Sequence, residues 1–178
     1  MIEQEYLKAV GTRFLEMKKL GDKTFQRLTN MDIHWIPSEG SNSIAIIVKH
    51  VSGNMISRWT DFLTTDGEKQ SRNRDAEFLD TISSVEELIN VWSKGWTILF
   101  KALNSLKAED LLKSIYIRGE KHSVIEAIER QVAHYSYHVG QIVYIGKQVK
   151  GKEWDSLSIP VGKSDEFLRE MINKHKQS

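Results

Sequence analysis

Helical spacing is the feature that most restricts what this chain can fold into. Apolar residues recur at three- and four-residue steps through four long stretches, and prolines occur only at Pro37 and Pro160, outside those stretches. Ile2, Tyr6, Val10, Phe14, Met17 and Leu28 predict a helix over 2–28, weakened locally by Gly21. Ser43 is placed to cap a second helix over 44–65. Its apolar stripe includes Val48, Val51, Met55 and Trp59, and a polar row of His50, Asn54, Ser57 and Asp61 runs along one flank. Ser84 with Glu87 reads as a capping box for a third helix ending at Leu106, with Trp92 and Trp96 on its inner stripe. A fourth helix spans 124–149 and stops at Gly151, and Ser164 caps a short last one ending at His175. Residues 114–123 read as a small hairpin turning at Gly119, and the charged stretch 66–80 has no period, which marks a long connection. The expected architecture is all-α: one domain over 1–178, an up-down four-helix bundle with a short C-terminal helix and a small hairpin before the fourth long helix.

Composition then narrows the chemistry. With no cysteine, the chain has no disulfide, thiolate metal site or cysteine nucleophile, so a metal must be held by histidine, carboxylate or carbonyl. Lys and Arg number 25 against 24 Asp and Glu, a net charge of +1 that gives no support to nucleic acid or an anionic membrane as a partner. The opening MIEQEYLK has neither the basic nor the apolar region of a signal peptide. No apolar run approaches the ~18 residues of a membrane span. The expectation is a soluble, cytoplasmic protein.

Of the six histidines, His34, His122 and His175 fall in a loop, beside a turn and in the tail, where solvated surface is expected. His134 and His138 differ. Four residues apart on the fourth helix, they stack roughly 6 Å apart along its axis. Their face also carries Ala127, Gln131, Ile142 and Ile145, so both rings point at the apolar stripe. A buried imidazole without a partner costs on the order of 1–3 kcal/mol. Two neighbouring ones need partners, which either a shared metal ion or nearby hydroxyls and carbonyls would supply. The intervening Tyr135, Ser136 and Tyr137 include no glutamate, which argues against a zincin-type protease. A third imidazole, His50 on the second helix, would complete a three-histidine site with an open position.

Asn42-Ser43-Ile44-Ala45, Lys49-His50-Val51 and the distant His134-x-x-x-His138-x-Gly140-Gln141 resemble the DinB-like (YfiT-like) superfamily of metalloenzymes. The stretch HVSGNMISRWTDFLTTDGEKQSRNRDAEF and the later LSIPVGKS look like one subgroup of it, of unknown function. The resemblance implies a four-helix bundle, commonly homodimeric, with one divalent ion, typically zinc or nickel, on His50, His134 and His138. It also implies a small-molecule substrate. Relatives in the superfamily include transferases and isomerases that use thiols such as bacillithiol, mycothiol or glutathione. The activity expected by that likeness joins a low-molecular-weight thiol to a small electrophile, with the metal lowering the thiol pKa.

Around such a site, Asn54 and Gln141 lie one turn from a ligand histidine and are candidates to orient a ring or substrate. Arg58, Arg72 and Arg74 are candidates to grip the carboxylates of a thiol cofactor, with Asp61, Asp66 and Glu68 as structural partners. Trp59, Trp92 and Trp96 follow the apolar spacing and read as core, and Gly140 reads as an allowance for close helix packing. Two other functions stand beside the transferase. One is metal-assisted hydrolysis, for which Asp61 or Glu126 would have to reach the site as base. The other is a non-catalytic helical dimer that binds metal or ligand.

Overall fold

The computed structural model describes residues 2–176. Five helices form among them: α1 (Ile2–Phe25), α2 (Ile44–Trp59), α3 (Val85–Ser105), α4 (Val124–Lys150) and α5 (Ser164–Lys176). A two-stranded antiparallel sheet, β1 (Ser114–Ile117) and β2 (Glu120–Ser123), precedes α4. Among the described residues, no helix is long and apolar enough to cross a membrane.

Local chemistry sets the helix ends. The Ser43 hydroxyl accepts from the Ile46 amide at the start of α2, and Ser123 with Glu126 forms a reciprocal capping box on α4. At α3 the Ser84 hydroxyl accepts from the Glu87 amide, but the Glu87 carboxylate turns to Ser83 instead of closing the expected box. α2 stops at Trp59, short of the expected Thr65. Asp61 takes a φ of 47°, and its carbonyl accepts from the amides and hydroxyls of both Thr64 and Thr65. Such short polar side chains offer the backbone a tight turn in place of another helical one.

The apolar stripes meet in one core. α2 packs on α3 and α4, and α1 on α4 and α3. Trp59, Trp92 and Trp96 are buried as expected, with Phe14 edge-on to Trp59 and Trp96. Gly21, a weak point for helix formation, has a packing reason: a Cβ there would meet the Trp92 ring at 2.5 Å. Gly140 has none, since a Cβ there would meet nothing within 4 Å. The connection between α2 and α3 folds back onto α2 through a 3₁₀ turn over Asp75–Phe78. The hairpin packs on α4, and this leaves His122 largely buried rather than at the expected solvated surface.

Candidate metal centre

His50 projects from the middle of α2, and His134 and His138 from successive turns of α4. Because α2 packs on α4, the three rings converge. The His134 and His138 centroids are 4.8 Å apart, and His50 stands 5.5 Å and 5.1 Å from them. One ligand nitrogen from each ring lies within 4.8 Å of the other two. Two nitrogens bound to one ion stand at most roughly 4.2 Å apart, so small side-chain rotations suffice to close the set.

Hydrogen bonds fix two of the rings. His50 Nδ1 lies 2.9 Å from Glu77 Oε2, and His138 Nδ1 lies 2.9 Å from Gln141 Oε1. Both partners are acceptors, which keeps the proton on Nδ1 and leaves the Nε2 lone pair facing the cluster. His138 Nε2 and His134 Nδ1 are buried without any hydrogen-bond partner. Orphaned imidazole nitrogens inside a ring of three histidines are what a cation would satisfy, so the donor set fits a divalent ion.

Electrostatics keeps the rings ready. Burial, reinforced by the charges of His138, His50, Arg58 and Arg72, pushes the His134 pKa down to about 3. Burial likewise pushes His138 down to about 4, against the opposing effect of the hydrogen bond its Nδ1–H donates to Gln141. Both are neutral near pH 7 and carry free lone pairs. Glu77 is 6 % exposed; burial alone would raise its carboxyl, but bonds from His50 and Arg72 and the Arg72 charge hold it below the usual range. Arg72 grips it with two parallel bonds, Nε to Oε1 at 2.7 Å and Nη2 to Oε2 at 2.8 Å. Gly53, one turn beyond His50 on α2, makes room for this carboxylate, because a Cβ there would overlap it.

A cavity of about 210 Å³ opens beside the cluster, lined by His50, His134, Asn54, Gln131, Tyr137 and five arginines. Arg58, Arg72 and Arg74, the three expected from the sequence, all reach it, and Arg118 and Arg130 join them. Glu68 is the carboxylate partner of Arg58 and Arg72, whereas Asp66 spends its oxygens on the backbone amides of Glu68, Arg118 and Gly119. Asn54 lines the cavity but accepts from the Tyr135 hydroxyl rather than from a ligand histidine. Neither base considered for hydrolysis lines this cavity: Asp61 borders other clefts, and Glu126 caps α4. Glu77, Arg118 and Arg130 were not anticipated. Gly53 beside a helix histidine was a trace of Glu77, and Gln131 stood on the histidine face from the outset.

These features define a mostly helical protein with a buried three-histidine cluster open to an arginine-lined cavity. Residues 1–163 match the family described as protein of unknown function (DUF1572), and the chain belongs to that family. None of the curated proteins matches it.

Proposed function

We infer that this chain is a divalent-metal-dependent enzyme of the DinB-like kind, a four-helix bundle that joins a low-molecular-weight thiol to a small electrophile. The observation that carries the reading is the approach of His50, His134 and His138 to within 4.8 Å beside an open cavity. The resemblance of the segments around His50 and His134-x-x-x-His138 to the DinB-like superfamily supports it. Zinc or nickel suits an all-imidazole set. Bound there, the ion supplies a Lewis acid that makes thiolate available at neutral pH. The protein's own residues do the rest. Glu77 and Gln141 hold the tautomers of His50 and His138, and Arg72 holds Glu77. The cavity opens a way in to His50 and His134.

The thiol route is favoured over hydrolysis because, among the described residues, no carboxylate lines the cavity to serve as base. It is favoured over a closed sensor site because the cavity reaches His50 and His134. Elemental analysis should find about one ion per chain in the native protein and little in the His50→Ala and His138→Ala variants. Metal-loaded protein should then consume thiol with monochlorobimane across a panel of thiols. No rate above a His134→Ala control removes the transferase, and ester cleavage without thiol would favour the hydrolase.

A further inference from the structure

The cavity beside the histidines carries more positive charge than its own fold neutralises. Among the described residues, five guanidiniums line it and no carboxylate does. Behind the lining stand two acids. Glu68 pairs with Arg58, Arg72 and Arg118 at 3.1, 3.3 and 3.0 Å, and Glu77 is held by Arg72. Arg74 rests over the Phe78 ring, and the Arg130 guanidinium, projecting from α4, has no hydrogen bond or ion pair among the described residues. Like charges gathered in this way repel one another and disfavour the compact state, so a cluster left short of counter-charge is suited to an anion from outside.

Two buried polar groups on the same wall point the same way. Arg58 is 5 % exposed and Gln131 3 % exposed, yet Arg58 Nε and Gln131 Oε1 have no partner. Buried polar atoms are nearly always paired. Both residues line the cavity, so an unpaired donor and an unpaired acceptor lie just behind its wall, where small side-chain shifts would offer them to a ligand that carries an oxyanion and a hydroxyl or amide N–H.

The third observation is strain. Arg118 and Gly119 form the tip of the β1–β2 hairpin with φ of 56° and 76°. A two-residue turn with both φ positive favours Asn-Gly or Gly-Gly, and arginine at its first position is uncommon. Asp66 holds the strained tip by accepting the Arg118 and Gly119 amides, each at 2.8 Å. The Gly67 amide adds a bond to the Tyr116 carbonyl, also at 2.8 Å. The latch fastens the hairpin to the 66–68 segment and brings Arg118 to the cavity. Strain kept where a side chain reaches a ligand cavity is a recurring mark of function.

We propose that this cavity binds a small oxyanion-bearing molecule, a phosphate or a carboxylate, gripped by Arg74, Arg118 and Arg130 with its remainder directed at the histidine cluster. At about 210 Å³ the space falls below the ~300–1,000 Å³ of drug-sized sites, so the molecule is small. The proposal deepens the enzymatic reading by naming a substrate class, and rests on that reading only for what happens at the metal end.

Titration calorimetry on the full chain, metal-free and metal-loaded, at low ionic strength tests it with inorganic phosphate, succinate and the neutral succinamide. Phosphate or succinate should bind the metal-free protein, whichever binds tighter naming the acid group, and succinamide should not. Arg118→Gly suits the positive φ, so it should melt no lower than the parent while weakening the oxyanion at least tenfold. Arg130→Ala should weaken it similarly. Parental affinity in both variants, no oxyanion binding to the parent at millimolar concentration, or equal binding of succinamide overturns the proposal. Oxyanion binding without metal uptake would sink the metalloenzyme reading and leave this one standing. Metal uptake without oxyanion binding would do the reverse.

Discussion

Two buried polar clusters lie side by side between α2 and α4, built from neighbouring residues, and they are finished differently. In the first, the Trp59 Nε1–H donates to the Tyr135 hydroxyl at 3.1 Å, which donates to Asn54 Oδ1 at 2.9 Å. That chain is closed, fully buried at Tyr135, and burial drives the phenol pKa well above its usual value. In the second, one turn before Asn54 and one residue before Tyr135, His50, His134 and His138 leave two nitrogens without partners. The same two helices satisfy one cluster internally and leave the other incomplete. A closed network specifies a core, and an incomplete one beside a cavity is completed by something that enters.

The contrast predicts opposite responses to mutation. The largest effect is expected from His138→Ala or His50→Ala, which should abolish stoichiometric metal uptake by elemental analysis while metal-free Tm changes little. Retained metal in both would erase the distinction between the clusters. Next, Glu77→Gln should weaken metal affinity by about 10–100-fold, the usual cost of losing a partner that orients a ligand histidine. Gly53→Ala should act in the same direction, because the added methyl displaces that carboxylate from His50. Competition with a chelator measures both.

On the closed cluster the effect should fall on stability alone. Tyr135→Phe leaves the Trp59 donor and the Asn54 acceptor unpaired and should cost about 1–3 kcal/mol by urea unfolding, with metal content unchanged. Lost metal there would show that the clusters are one unit.

The smallest effect concerns pH. Unfolded histidines take up protons near 6.5, whereas folded His134 and His138 do so only at about 3 and about 4. Between those limits the unfolded state holds more protons, so these groups lower stability as pH falls from about 6.5 and contribute no slope above about 7. The urea midpoint of metal-free protein should drop from pH 7 to pH 5. A midpoint that stays level would mean the rings are more solvated than their burial indicates.

How far the chain could be read in advance follows from the range of each interaction. The helix starts at Ile44 behind Ser43 and at Val124, the hairpin turn at Gly119 and the stop at Gly151 depend on residues within a few positions, and all were legible. The end of α2 was not, because the carbonyl turn at Asp61 leaves no mark in apolar spacing. Arg58, Arg72 and Arg74 stand out as a group with Glu68 as a partner, which pairs with two of them, but that Glu77 takes the Arg72 guanidinium was not visible.

By itself the sequence determined a mostly helical chain with a histidine pair on one face of its fourth long helix, because a 3.6-residue repeat is a local property of neighbouring side chains. Only the tertiary structure decided that His50 meets the pair, that Glu77 backs it across Gly53, and that a strained hairpin carries Arg118 to the same cavity. Those juxtapositions join segments dozens of residues apart, and helix packing rather than any local spacing fixes them.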